Sequence, residues 1–177
     1  MPHTVDSPRL HLRAPQPMDA AAVYAYASDP RVTRYMVWST AVDIDDTHDF
    51  LDDVAAGWDA GDDYCYLITD RSDGAVLGAA ACQFGDHGAE IGYILAYQAW
   101  HNGYATEAAG ALIDHVWAID DLYRVWATCD ADNRASARVL ERLGMTLEGR
   151  LARWAPCPNL AGSNGVPRDA LCYALTR

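Results

Sequence analysis

The stretch AEIGYILAYQAWHNGYATEAAG, residues 89–110, decides the fold of this chain. Its first part, residues 89–97, is a mostly apolar run of the kind that forms a buried strand. Its second part places a glycine, a Thr and a Glu at the start of a run with apolar residues at helical spacing. The stretch therefore predicts a buried strand that enters a helix through a short turn containing a glycine.

The turn between strand and helix has the features of a phosphate cradle. A helix N-terminus leaves backbone N–H groups unpaired and carries a partial positive charge, so it binds phosphate when side chains do not shield it. Gly103 permits close approach, Ala105 is small, Thr106 offers a hydroxyl, and His101 and Asn102 add polar atoms. An ordinary turn glycine is the alternative interpretation. Neither G-x-G-x-x-G nor GK[ST] is present, which argues against a dinucleotide or nucleoside triphosphate site.

Patterns on either side of this turn predict one α+β domain over residues 1–177. Alternating and apolar runs predict strands at residues 10–13, 63–70, 75–85, 89–97, 122–130, 145–151 and 169–177. Helical spacing predicts helices at residues 17–29, 43–58, 102–120 and 134–143. Asn133 is a good N-cap for the last helix, and Gly144 is a good residue to end it. The element order excludes a doubly wound nucleotide-binding fold.

The composition limits the class of partner. Lys plus Arg number 13 against 25 Asp plus Glu, which gives a formal net charge of −12. We therefore expect neither a nucleic acid nor an anionic membrane as partner. The acidic segment 43–53 could attract a cationic amine, and a solvated acidic surface is the alternative.

The cysteines indicate the compartment. Cys65, Cys82, Cys129, Cys157 and Cys172 are scattered, with no CxxC and no nearby His pair. This pattern predicts reduced, mostly buried thiols and no metal site. Because the N-terminus also lacks an apolar signal core, we expect a cytoplasmic protein.

Two motifs resemble the GNAT superfamily of N-acetyltransferases, in particular the group that acetylates N-terminal alanines of ribosomal proteins. They are EIGYILAYQAWHNGYATEA, residues 90–108, and DADNRASARVLERLGMTLEGR, residues 130–150. The resemblance implies a mixed, mostly antiparallel central sheet flanked by helices, with a V-shaped splay between two parallel strands, residues 89–97 and 122–130. One departure is His101, where members of the family usually have Gly.

The resemblance implies acetyl-CoA as co-substrate, bound in the V-shaped opening. The pantetheine amides would pair with the first parallel strand, the pyrophosphate would lie on the amides of the turn, and the start of the last helix would face the pantetheine and the thioester. The implied cofactor-binding residues are Ile94, Leu95, Tyr97, His101, Asn102, Gly103, Tyr104, Ala105, Thr106, Asn133 and Ser136. From the residues alone, Asn133 and Ser136 are equally explained as caps of their own helix.

The resemblance also implies the catalytic groups. Glu90 matches the position of a glutamate base in histone-acetylating relatives, and a strand residue paired to an Arg or facing water is the alternative. The Tyr that protonates the leaving thiolate in many relatives is replaced by Leu140, so Ser136 takes this role by resemblance. For Glu107, in the first turn of its helix, a structural role is favoured.

These observations predict an acetyl-CoA-dependent N-acetyltransferase that acts on a peptide N-terminus or a small amine by direct transfer. The alternative is a non-catalytic module that binds CoA or a peptide, which the missing Tyr and His101 would favour. The acidic segment and the loop 156–167 are expected to determine the acceptor. Dimers are frequent among similar proteins, so a homodimer is a further expectation.

Overall fold

Eight strands form one sheet in the computed structural model, which describes residues 1–161 and 165–177. The strands are β1 Thr4–Asp6, β2 Leu10–Arg13, β3 Asp63–Asp70, β4 Val76–Gly85, β5 Gly88–Leu95, β6 Arg124–Asp130, β7 Thr146–Ala155 and β8 Arg168–Thr176. Their order in the sheet is β1-β2-β3-β4-β5-β6-β8-β7. Within the described residues β5 and β6 are the parallel pair, and the other neighbours are antiparallel. The mixed, mostly antiparallel sheet is thus confirmed.

Five helices of the described residues flank this sheet: α1 Ala20–Ala27, α2 Pro30–Thr33, α3 Ile44–Ala60, α4 Tyr104–Val116 and α5 Arg134–Arg142. Asp43 caps α3 by accepting the N–H of Asp45, and Gly61, with φ 80°, ends that helix. None of the helices in the described part of the chain combines the length and the apolar character needed to cross a bilayer.

The helices cover the two faces of the sheet, which explains the apolar runs of its central strands. Along β3, Tyr66 and Ile68 pack in the cluster that contains Leu112 of α4. Leu67, between them, packs in the cluster that contains Val23 of α1. Successive side chains of a strand point to opposite faces, so α4 lies on one face and α1 on the other. A third cluster, beneath α5, joins that helix to β6 and β8 through Ala127, Leu140 and Tyr173.

The structure corrects several predicted boundaries. The strand predicted for residues 89–97 ends at Leu95, and Tyr97 begins a 3₁₀ turn, Tyr97–Ala99. The helix predicted for residues 17–29 is a 3₁₀ turn followed by α1, and α2 begins after Asp29. β1 was not predicted, because three residues are too few to show a period. Of the predicted loop 156–167, residues 162–164 lie outside the described part.

The parallel strands β5 and β6 diverge after a short contact. They pair at Ala89 with Val125 and at Glu90 with Trp126. Beyond this point β5 stays paired with β4 as far as Leu95, while β6 stays paired with β8 as far as Asp130. The predicted V-shaped opening therefore lies between these strands, and Gly88 lies at its closed end.

Replacing Gly88 by Ala is expected to destabilise the fold strongly, because φ is +96° and the new Cβ would lie 2.3 Å from the Arg124 carbonyl oxygen. The loss in the free energy of unfolding should be about 3 kcal/mol or more. Gly74 is the matched control, because its φ is also positive (+77°) but a Cβ there meets nothing within 4 Å. Gly74→Ala should cost about 1–2 kcal/mol. Urea unfolding measures both variants, and equal losses would contradict the close approach at Gly88.

Candidate active site

One edge of the opening is the backbone of β5, and its register decides which residues face the gap. The N–H of Ala96, which follows β5, donates to the carbonyl of Leu77 in β4 at 2.8 Å. Hydrogen-bonding groups alternate along an antiparallel pair, so the amide and carbonyl of Ile94 also point to β4. Those of Tyr93 and Leu95 point to the opening. Of the three residues predicted to contact the cofactor through their backbone, Leu95 therefore faces the opening, Ile94 faces β4, and Tyr97 lies beyond the strand.

The turn before α4 has backbone N–H groups without a hydrogen-bond acceptor, as its sequence predicts. The first bond of α4 runs from the Glu107 N–H to the Gly103 carbonyl at 3.1 Å, so the amides of Tyr104, Ala105 and Thr106 precede it. Gly103, with φ 79°, is the N-cap and contributes no side-chain hydrogen bond. The Asn102 side chain instead donates to carbonyls within the turn.

His101 adopts a backbone conformation that explains the glycine usual in the family. Its φ is 64°, in the left-handed region that glycine enters without strain. Histidine is one of the few other residue types enriched there. The His101 side chain is exposed to solvent and does not pack in the core.

A half-buried carboxylate, Glu107, fixes this turn to the connection between β1 and β2. The Glu107 carboxylate accepts hydrogen bonds from the Ser7 hydroxyl at 2.7 Å and from the Arg9 amide at 2.8 Å. It also pairs with the Arg9 guanidinium at 2.7 Å, which in turn donates to the Asn102 carbonyl at 3.0 Å. Burial opposes ionisation of Glu107, but the hydrogen bonds from Arg9 and Ser7 outweigh it and hold the pKa below its ordinary value. Glu107 therefore has a structural role.

Glu90 lies where the two parallel strands part. It occupies the last paired position of β5, opposite Trp126. Burial raises the pKa of its carboxyl group, and Thr128, which lies beside it on β6, partly offsets this shift. No ion pair joins Glu90 to an arginine in the described residues, so the alternative of a paired strand residue is not supported. A carboxylate with a raised pKa is a stronger base than a solvated one.

The start of α5 brings Ser136 to the other side of the opening. The Asn133 side chain accepts the Ser136 N–H at 3.2 Å, which is the predicted cap. The Ser136 hydroxyl lies 2.9 Å from the Tyr93 hydroxyl. Burial raises the pKa of Tyr93, so this phenol stays protonated. The sequence did not point to Tyr93, because no local pattern links it to a serine 43 residues later.

A cavity of about 800 Å³ extends from this pair toward the helices on the other face. Its wall includes Gly92, Tyr93, Thr128 and Ser136 at the opening. Other parts of the wall come from α1, α3, β3, β4, β7, β8 and the segment 35–42. Trp38 and Trp154 also line it. Leu140, where relatives have a Tyr, is a buried residue of α5 that also lines the cavity.

Asn159 holds two walls of the cavity together. Its side-chain amide donates to the carbonyls of Thr33 and Trp38, each at 2.8 Å. Its side-chain oxygen accepts the Thr40 amide at 2.8 Å and the Thr40 hydroxyl at 3.0 Å. One side chain thus fixes the connection between β7 and β8 against the segment that carries Trp38. This contact joins residues more than 100 positions apart, and no sequence pattern predicts it.

Comparison with known proteins identifies the family. A model of the acetyltransferase (GNAT) domain matches residues 9–146. The chain therefore belongs to the GNAT family of acetyltransferases.

Individual proteins agree with this assignment. The N-acetyltransferase p20 of Bacillus licheniformis is 30% identical over 151 residues, which cover 84% of this chain and 85% of p20. The microcin C7 self-immunity acetyltransferase MccE, in complex with acetyl-CoA and AMP, superposes with a TM-score of 0.84 at 22% identity over 97% of this chain and 94% of MccE. RimL, a ribosomal L7/L12 α-N-protein acetyltransferase in complex with CoA, also gives 0.84 at 22% identity over 98% and 97% of the two chains. The protein is an acetyl-CoA-dependent N-acetyltransferase.

Replacing Glu107 by Gln should lower the free energy of unfolding by about 1–2 kcal/mol at pH 7, because charge-assisted bonds to Arg9 and Ser7 are weakened. The native pKa of Glu107 is lowered, so its contribution is present above the unfolded value of about 4.3 and is lost as the pH falls through the native pKa. The difference between wild type and variant should therefore shrink below about pH 4. Asp114→Asn, at an exposed position of the same helix, is the control. Urea unfolding between pH 3 and 7 measures this, and a difference that does not depend on pH would contradict it.

Proposed function

We propose that this enzyme transfers the acetyl group directly from acetyl-CoA to a primary amine, at a peptide N-terminus or on a small molecule. The observation that carries the proposal is the cavity, because it connects the segment 35–42 with Ser136 across the opening between β5 and β6. An amine that lies on the side of α1 and α3 and a thioester in the opening between β5 and β6 can meet in this cavity. RimL acetylates a protein N-terminus according to its description, which supports a peptide acceptor.

The cofactor would bind mainly to backbone groups. The pyrophosphate would lie on the amides of the turn from His101 to Thr106, whose N–H groups the start of α4 leaves unpaired. The pantetheine would run along the edge of β5 by strand addition, next to Tyr93 and Leu95. Asn133 lies on the opposite side and lines the same cavity.

The reaction requires a proton acceptor and a proton donor. The neutral amine attacks the thioester carbonyl carbon, and the tetrahedral intermediate collapses with cleavage of the C–S bond. Glu90 would take the proton that the attacking nitrogen loses, through Thr128, which lines the cavity beside it. An α-amino group has a pKa of about 7.7–8.0, so a moderate base is sufficient near neutral pH. Ser136 would donate to the leaving sulfur while the Tyr93 hydroxyl donates to Ser136.

The Tyr93–Ser136 pair weighs against the non-catalytic alternative. The replacement of the usual Tyr by Leu140 suggested that the proton donor had been lost. A protonated phenol nevertheless reaches the start of α5 from β5. This pair supports the proposal that a proton donor for the leaving sulfur is retained at the opening. The five cysteines are free thiols, which supports a reducing compartment, the cytoplasm.

Release of free thiol from acetyl-CoA in the presence of amines tests the transfer. Ser136→Ala should lower kcat by about 100-fold, in the range found for loss of an acid or base, and Tyr93→Phe by about tenfold. Glu90→Gln should lower kcat and remove the acidic limb of the pH profile, whose midpoint lies above the ordinary glutamate pKa because the Glu90 pKa is raised. The Kd of acetyl-CoA should stay within twofold in all three variants. If none of the three variants changes the rate of thiol release, the assigned roles are contradicted.

Replacing Gly103 by Val should raise the Kd of acetyl-CoA severalfold or more, because a branched side chain would stand beside the amides that receive the pyrophosphate. Gly74→Val is the matched control, with a positive φ of 77° in a turn outside the site. Calorimetry with acetyl-CoA measures both variants after their folding has been checked by circular dichroism. An unchanged Kd in folded Gly103→Val would contradict the assignment of the pyrophosphate to this turn.

A further inference from the structure

The wall of the cavity on the acceptor side is mainly apolar and contains several aromatic side chains. Tyr35, Met36 and Trp38 come from the segment before α3, Phe50 from α3, and Trp154 from the end of β7. Trp38 and Trp154 keep 41% and 52% of their surface exposed although both line the cavity. Large apolar side chains at the mouth of a cavity gain free energy when an apolar ligand covers them.

The carboxylates in this wall already have partners. Asp130 is ion-paired with Arg168 at 2.6 Å, and the hydrogen bonds and charge of Arg168 hold its pKa below the ordinary value against the effect of burial. Asp169 is paired with Arg150 at 2.8 Å.

The third carboxylate, Asp46, accepts the amides of Val42 and Asp43 at the start of α3. Among the described residues that line the cavity, these three are the acidic ones, so Asp46 is the one carboxylate of the wall whose charge no arginine neutralises, and a polycation finds a single free charge there.

The acidic segment does not change this conclusion. Of α3, the residues that line the cavity are Asp46, Thr47 and Phe50. The other aspartates of the segment, Asp45, Asp49, Asp52 and Asp53, are exposed and do not line it. The segment 43–53 is therefore largely a solvated helix face, and its charge gives little reason to expect a cationic acceptor.

Thr47 is a polar group for which the protein supplies no partner. It is 2% exposed, and its hydroxyl is the buried side-chain polar atom without a hydrogen bond in the described residues. It lies one turn before Phe50 on α3 and belongs to the cavity wall, with its hydroxyl oxygen enclosed, so a ligand in the cavity reaches this oxygen when the side chain turns about χ1. A buried hydroxyl without a partner is destabilising, so a ligand that bonds to it gains affinity and orientation.

We propose that the acceptor is a primary amine attached to a bulky apolar group, and that the Thr47 hydroxyl binds one polar group of it, an amide or a hydroxyl. The proposal rests on the direct transfer proposed above. The apolar group lies against Trp38, Phe50 and Trp154, and the bond to Thr47 orients the amine toward the opening at Thr128 and Ser136. The enzyme thus selects its acceptor by apolar contact and one hydrogen bond.

The first arm of the test compares tetrapeptides that carry Phe, Leu or Lys at the first or second position, together with spermidine. The thiol assay should give a kcat/KM at least tenfold higher for the best Phe or Leu peptide than for the matching Lys peptide or spermidine. A preference for spermidine or for the Lys peptides overturns the proposal and leaves direct transfer standing. If no amine releases thiol, direct transfer itself fails.

The second arm measures binding without chemistry. Calorimetry with CoA, which carries no acetyl group, gives the Kd of the best peptide for wild type, Thr47→Val and Thr47→Ser. Valine keeps the shape of threonine and removes the hydroxyl, so its Kd should rise about tenfold, whereas serine should restore binding to within about threefold. An unchanged Kd in Thr47→Val overturns the role of Thr47, whatever the assay of turnover shows.

Thermal unfolding separates recognition from a structural role. Thr47→Val removes an unpaired hydroxyl, so its melting temperature should not fall. Thr33→Val is the contrast, because the Thr33 hydroxyl bonds to the Asp29 carbonyl at 3.1 Å and to the Thr40 hydroxyl at 2.6 Å. Its melting temperature should fall. Weak binding in Thr47→Val together with a lowered melting temperature would point to a structural role and overturn the proposal.

Discussion

The divergence of the parallel strands β5 and β6 is the constraint on which the rest of this structure depends. Each of the two strands keeps its antiparallel partner on the far side, so beyond Glu90 the backbone groups between them lose their mutual hydrogen bonds. Buried backbone groups require partners, and a ligand with amides of its own can supply them along this edge. The same divergence places α4 after the end of one strand and α5 after the end of the other. Two helix N-termini therefore follow the open end of the V.

The residues proposed to bind the cofactor lie on elements whose sequence signals are local. Gly103 and Asn133 are recognisable from a few neighbours in the chain, since a turn and a helix cap are properties of short segments. The orientation of Ile94 and the position of Tyr97 beyond the strand could not be predicted in this way. Which residues of β5 face the gap depends on its hydrogen bonds to β4, and a single strand carries no mark of this register.

The half of the site that faces the acceptor is assembled from distant segments, and the sequence predicted much less of it. The apolar spacing in the acidic segment correctly predicted α3. It did not show that Thr47 belongs to the cavity wall while Asp45 and Asp49 face solvent, because that orientation is set by packing of Leu51 in the core beneath α1. Asn159 is a stronger case, since its four hydrogen bonds cross to a segment more than 100 residues earlier.

The two halves also differ in the atoms that do the binding, and this explains what family membership does and does not reveal. Bonds from backbone N–H groups and from a strand edge depend on conformation, so they persist while most side chains change, as the shared fold at 22% identity with MccE and RimL illustrates. The acceptor cavity is bounded largely by side chains, many of them on connections between elements. Substitutions there change its shape and polarity without touching the amides before α4. A GNAT sequence therefore predicts acetyl-CoA with little ambiguity, whereas the acceptor must be inferred from the apolar wall, the engaged carboxylates and the unpaired hydroxyl of Thr47.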